Sequence, residues 1–580
     1  MRSLNLSKIF TIFLIFVFFC LPAVSEDQVD IWKKKKFDEK KADESSLNIN
    51  ETNLKKITIE ENSIRKSEII EISNESKEER ELFGILDPGQ NNLSLNMWKD
   101  SNGDDIKNIF KRINKINLSK YSEDLFLNTI LTYSFSPEKN MTSEEFLELK
   151  IDWLIKNEKD DILEDFLNKN ENFKFKKAII QYLVDKNIAK ANIKDGCKKV
   201  EFIGKDIKDS YLERFKIYCL IFNDKKNEAQ LIFDILKEQS LSDKFFDDKI
   251  NFLLGITNKT KYKIKDNNLL NFYLSSITVS DFNYQPTDKT DKFIWEYMDA
   301  ANLLVIDNLN DKEKIKTLEI AAKNNTLDKK KIFEIYKKFP FELNSLINAE
   351  GIYQSLEPMD ARALIYQKFL LADNTENKIK LLFLLKDLFK KDNLAEVYKT
   401  FMSDRLKEIN DKTIPKDYVE VVEKNIISEE EETLGKIRYD DKILHRSRVL
   451  RYYTEEGTPV QKTQKDIKNT YKKIKKNKNY FFSAKDLALM ESLEIDGFEI
   501  PNDIKLKDIA TKYNVPDNLL SLIQNNEIGL LSLKFVEIIG EDEINELDSE
   551  TVYFIINLLN KAKLTKFRNK AIITALPQRI

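Results

Sequence analysis

Residues 210–239 read SYLERFKIYCLIFNDKKNEAQLIFDILKEQ, and this stretch decides the fold. Tyr211, Leu212, Phe215, Tyr218, Cys219 and Phe222 recur at steps of three and four, the period of one face of an α-helix. Asn223 to Asn227 (NDKKN) break the pattern with polar residues, and Ala229, Ile232, Phe233 and Leu236 restart it. The segment reads as two helices and a tight polar turn. A hairpin of this size cannot cover its own apolar face, so it must stack on neighbours.

The same grammar recurs on both sides. IDWLIKNEKDDILEDFL (151–167) is helix, polar turn, helix. IYQKFLLADNTENKIKLLFLLKDLF (365–389) places DNTEN where NDKKN stood. TVYFIINLLNKAKLTKFRNKAIITAL (551–576) sets Val552, Ile556 and Leu559 to face Phe567, Ala571 and Ala575. Thr142 and Glu145 form a capping box, followed by an apolar face of Phe146, Leu149 and Trp153. The units recur without a fixed spacing, and the W-x2-L-G-x2-Y type of consensus is mostly absent. The prediction is an all-α fold: an α-solenoid of stacked helical hairpins, TPR-like rather than TPR, preceded by a disordered N-terminal tail.

Composition agrees. The chain has 580 residues but only 12 glycines, 11 prolines and one histidine. Average usage is roughly 7% Gly and 5% Pro, so tight turns are scarce, against sandwiches, propellers and barrels. The glycines allow no G-x-G-x-x-G, no P-loop and no G-x-S-x-G elbow. His445 alone cannot form a two-histidine metal site, and only a one-histidine triad remains arithmetically open. DSNGDD (100–105) has its glycine in the wrong place for an EF-hand loop and reads as a turn, with Asp104 and Asp105 at a helix start. No cofactor and no metal site are expected.

Arg2 and Lys8 precede an apolar run, IFTIFLIFVFFCL (9–21), which Pro22 ends. Ala23-Val24-Ser25 supplies small residues for cleavage before Glu26. This is the pattern of a secretory signal peptide, too short for a membrane span. An uncleaved anchor is the alternative. No later run is long and apolar enough to span a bilayer, so no integral membrane segment is expected after cleavage. The expected localisation is exported, periplasmic.

Export gives the cysteines a meaning. Cys197 and Cys219 remain after cleavage, and an even pair in an oxidising compartment can form a disulfide across two antiparallel helices. Closing that loop would contribute about 3 kcal/mol. The other reading is two separately buried thiols.

Five segments follow: a signal peptide (1–25), a disordered charged linker (26–81), a helical repeat domain (82–427), a charged helical connector (428–480) and a C-terminal helical repeat region (481–580). The linker is too polar to offset its chain entropy. Its apolar beads Val29–Trp32 and Ile64–Ser73 are candidate partner motifs or incidental hydrophobes. The linker would reach roughly 40 Å as a coil. The connector carries Lys462, Lys465, Lys468, Lys472, Lys473, Lys475, Lys476 and Lys478 beside a narrow stripe of Ile467, Tyr471 and Ile474. One interleaved aromatic and a net charge of −3 over the chain point to a solvated face, with no nucleic-acid partner.

DLALMESLEIDGFEIP (486–501), NVPDNLLSLIQNNEIGLLSLKFVEIIGEDEINELDSETVYFIINLL (514–559), LSLNMW (93–98) and the Cys197–Leu236 hairpin together resemble an uncharacterised family of exported bacterial TPR-like α-helical repeat proteins. The resemblance covers most of the chain after residue 82. It implies an exported α-solenoid with a low-complexity tail and implies no activity.

Enzymatic readings find little purchase. A lytic transglycosylase would need E-S-x-F-x-P and G-L-M-Q, and Glu491-Ser492 supplies only the first two letters. Ser63-x-x-Lys66 and Ser136-x-x-Lys139 lack the K-T-G element of Ser-Lys hydrolases. The expected function is therefore non-enzymatic: a periplasmic protein-interaction or scaffold protein, in the setting of envelope assembly, with an unknown protein partner. A peptidoglycan-acting enzyme is the alternative.

Overall fold

The structure, a computed structural model, describes residues 82–579 apart from 171–172, 205–207, 288, 305–308, 310, 410–412 and 427–435. The expected signal peptide, the charged linker with its apolar beads, and Ser63 lie outside the described residues. The described chain is mostly helical, in an all-α helical-repeat fold. Its strands are Ile437–Arg438 and Gln578–Arg579, paired antiparallel. None of its helices is long and apolar enough to cross a membrane.

The decisive stretch is a hairpin of Ser210–Phe222 and Lys226–Glu238. Leu212, Phe215, Tyr218 and Cys219 are buried against Ala229, Phe233 and Leu236. Phe222 was expected on that face but is 47% exposed, because the helix ends there and its last turn projects past the seam. The segments 151–167, 365–389 and 551–576 also fold as helix, turn, helix. In the last, Val552, Ile556 and Leu559 are buried with Phe567, Ala571 and Ala575. Thr142 and Glu145 make both hydrogen bonds of the capping box.

The turns explain the missing glycine. Helix Ser210–Phe222 closes with Asp224 N–H donating to the Ile221 carbonyl and Lys225 N–H to that of Leu220. This is the Schellman pattern, with Asp224 left-handed at φ 60°. Glu158, Ala191, Ser240, Asn325, Asn393, Asn526 and Lys563 also take positive φ. Asparagine and other L-residues thus fill the position that glycine commonly fills, at a steric cost.

All described residues fall in one compact unit. The described residues of the expected repeat domain, connector and C-terminal region thus belong to that one unit. Early helices Gly103–Ile113 and Lys120–Leu131 pack on the late helix Ile528–Ile539. Ser119 N–H donates to the Gly540 carbonyl at 3.0 Å, and the Tyr121 hydroxyl to that of Phe567 at 3.1 Å. Gly529 N–H donates to the Met97 carbonyl, and a Cβ on Gly529 would fall 2.5 Å from the Trp98 ring.

Part of the connector departs from the helical expectation. Val460–Lys476 is a helix that buries Ile467 and Ile474. Residues 436–450 instead form a short strand and two 3-10 turns. Their backbone is held by side chains: Asp441 accepts from Arg448 N–H, Tyr480 from Leu444 N–H and Asp486 from His445 N–H. Such side-chain bonds offer the chain an alternative to helix.

Candidate functional site

A groove of about 920 Å³ opens among the described helices. Its walls come from the turn at Glu158 and from helices Lys176–Ala189, Lys292–Ala300, Lys329–Lys337, Pro358–Leu370 and Ala395–Lys407. Its floor is aromatic. Phe333 and Phe401 stack with ring centroids 4.0 Å apart, and Tyr366 lies 5.4 Å from Phe333. Phe333 and Tyr366 are buried, and Phe401 is half-buried.

Charges of both signs rim this floor. Lys186, only 5% exposed, places its ammonium 2.6 Å from a Glu158 carboxylate oxygen. Lys292 takes the other oxygen at 3.1 Å. Burial alone would raise the Glu158 carboxyl, but these two lysines outweigh it and hold it below the usual range. Burial raises the neighbouring Glu296 carboxyl despite Lys292. Lys331 is bound by Asp299. Lys330, Lys337, Glu334 and Asp404 also line the groove. Arg405 lies 5.3 Å from the Phe401 ring centroid, and its Nε is buried without a hydrogen-bond partner. A flat aromatic strip between interleaved charges suits an extended polypeptide: rings take apolar side chains, and the rim sorts charge patterns.

Outside the groove's lining, helices are fastened by a buried polar set. Arg362 and Glu319, both 3% exposed at the side chain, pair through two bonds of 2.9 Å from one guanidinium nitrogen. Arg362 Nε donates to the Tyr336 hydroxyl at 2.8 Å and Nη1 to Asp392. This fixes helices Lys312–Lys323, Lys329–Lys337 and Pro358–Leu370 relative to one another.

The residues singled out in the sequence lie elsewhere. Cys197 and Cys219 form a disulfide, with Cα atoms 5.4 Å apart, that ties Ile193–Lys198 to Ser210–Phe222. His445 Nδ1 meets Asp486 Oδ1 at 2.7 Å, and Ser483 Oγ is 3.3 Å from the same ring nitrogen. A catalytic triad needs the acid and the nucleophile on opposite nitrogens. Here Ser483 and Asp486 form the capping box of helix Ala484–Ile495, and Tyr480 donates to Asp486 at 2.8 Å. Burial would raise the Asp486 carboxyl, but the bonds from His445, Ser483 and Tyr480 hold it below the usual range.

Glu491 sits on the seam between Ala484–Ile495 and Ser549–Lys561. It accepts from Asn557 Nδ2 at 2.8 Å and Tyr553 at 3.3 Å, and burial raises its carboxyl. Ser136 shares a hydrogen bond with Ser143 at 2.7 Å, while Lys139 donates to the Asp100 carbonyl. Asn102 caps the helix that Asp104 and Asp105 begin. In the lysine-rich helix, Lys468, Lys473 and Lys475 pair with Glu499, Asp441 and Asp503.

Compared with known protein families, characterised proteins and solved structures, the chain matches none of them.

Proposed function

We propose that this chain is an exported, non-enzymatic interaction or scaffold protein of the bacterial periplasm, of TPR-like helical-repeat type. Its groove over Phe333, Tyr366 and Phe401 holds a segment of a protein partner. The observation that carries the reading is the groove itself: a stacked aromatic floor under a rim of mixed charge, built from helices far apart in sequence. The signal-like N-terminus supports export, and the resemblance to exported repeat proteins supports the same address. Envelope assembly is the setting this suggests.

A photo-crosslinking residue at Thr400, on the groove, and another at Lys259, remote from it, test the reading in cells. The expected result is a discrete adduct from position 400 that Phe401→Ala abolishes, with none from 259. Equal labelling from both positions, or none from either, counts against it. Clearing of purified peptidoglycan by the protein, lost in Glu491→Ala, would replace it with the enzymatic alternative.

A further inference from the structure

Helix Ser143–Lys156 buries Phe146, Leu147, Lys150, Ile151 and Leu154, so a lysine occupies a slot of the apolar face. Lys150 is 2% exposed. Its ammonium lies 4.2 Å from the centroid of the Phe146 ring, and no carboxylate among the described residues comes within ion-pair distance of it. Burying an ammonium without a counter-charge is costly, because the ion gives up its hydration with no opposite charge to replace it. Burial accordingly pushes the Lys150 ammonium down to about 7. A ring face offsets only a small part of such a penalty.

The space beside this group is equally specific. Lys150 lines a small pocket with Phe83, Ser134, Ser136, Ser143, Phe146 and Leu147. Its volume is about 10 Å³, room for the centre of one water-sized particle. Ser134 Oγ is buried there without a hydrogen-bond partner. The Ser136 and Ser143 hydroxyls bond to each other, which leaves one of their two protons free to turn toward the pocket. The residues lining the pocket thus include a buried lysine, a serine with an unused hydroxyl and a serine pair with one further O–H, and no carboxylate is among them. Such a donor set around a monatomic space is complementary to a small anion.

We propose that this pocket binds a single halide ion, chloride in the cell, between Lys150 and the hydroxyls of Ser134 and of the Ser136–Ser143 pair. The ion neutralises the buried ammonium, uses the hydroxyl that otherwise has no partner, and locks the Phe83 segment onto helix Ser143–Lys156. Carboxylates and sulfate are too large for the space. The inference is independent of the groove.

Thermal unfolding of the full chain in sodium chloride, sodium bromide and sodium gluconate at equal ionic strength tests it. The halides should raise Tm saturably by about 1 °C or more over gluconate. Ser134→Ala should shift the half-saturating chloride concentration several-fold upward. Lys150→Met, of similar length and without charge, should abolish the difference between salts. Chloride-35 line broadening by the full-length protein, lost in Lys150→Met, reads the same site without unfolding. Identical Tm values in chloride and gluconate, or a chloride gain that survives in Lys150→Met, would overturn the proposal.

Discussion

The indole of Trp98 fills the place where a side chain at Gly529 would lie: a Cβ there would stand 2.5 Å from ring atom Cδ2. Trp98 is fully buried, and Gly529 N–H also bonds the Met97 carbonyl, so neither partner can retreat without opening the joint between early and late helices. Gly529→Ala should cost about 1–3 kcal/mol, as overpacking of a filled core does. Urea denaturation checks this, and an unchanged midpoint would mean that the ring moves freely.

Ala191 follows helix Lys176–Ala189 at φ 54°, exposed, with its N–H bonded to the Ile188 carbonyl. An alanine in this region is strained, whereas glycine is not. Ala191→Gly should therefore stabilise the protein by about 1 kcal/mol, reversing the usual sign for a glycine substitution. The exposed control Lys259→Gly should not raise the midpoint.

Arg362 is buried among Glu319, Tyr336 and Asp392. Arg362→Ala would leave the Glu319 carboxylate buried without its cation, at a cost of about 3–5 kcal/mol. The pair is a poor source of net stability, so Glu319→Met with Arg362→Met should recover most of that loss. A double change no better than Arg362→Ala would assign the cost to lost volume instead.

The Cys197–Cys219 disulfide closes a separation of 22 residues. In the chain-entropy account this contributes about 3 kcal/mol, and Cys197→Ser with Cys219→Ser should lose about that much. Non-reduced peptide masses should show the two cysteine peptides linked, and free thiols in the native protein would refute the bond.

Asp185 accepts a hydrogen bond from Tyr211, and burial raises its carboxyl to about 7. Between about pH 4 and 7 the folded state thus holds a proton that the unfolded state has released. Stability should fall as pH rises across that window, by at most about 1.4 kcal/mol per pH unit from this group. Asp185→Asn keeps the acceptor oxygen and removes the titration. Urea midpoints at pH 4.5, 5.5 and 6.5 should show the variant with a shallower decline than the native chain.

Periodicity made the hairpins legible because buried faces there are nearly pure hydrocarbon, as at Leu212, Phe215, Phe233 and Leu236. It misread the face of helix Ser143–Lys156. The expected stripe of Phe146, Leu149 and Trp153 leaves Leu149 half-exposed and passes over Lys150, because a lysine is counted as polar wherever it stands. The groove had no sequence signature for a related reason. Phe333, Tyr366 and Phe401 each read as ordinary core positions of separate helices, and only the packing of those helices lines them up. The cysteine pair was visible as a possibility through its spacing. His445 could be placed beside Asp486 only by a turn of 3-10 structure that charge-rich sequence does not announce.

The joint at Trp98 and Gly529 brings together residues more than 400 positions apart, as the Tyr121 bond to the Phe567 carbonyl does. Local hairpins can form early, whereas closing so long a span is an entropically late event. A chain delivered amino end first therefore presents the bare faces of Gly103–Ile113 and Lys120–Leu131 until helix Ile528–Ile539 arrives. Truncation before residue 528 would remove the helix that covers those faces and leave them open to proteases or aggregation. One indole thus couples the fate of the first described helices to that of a helix made more than 400 residues later.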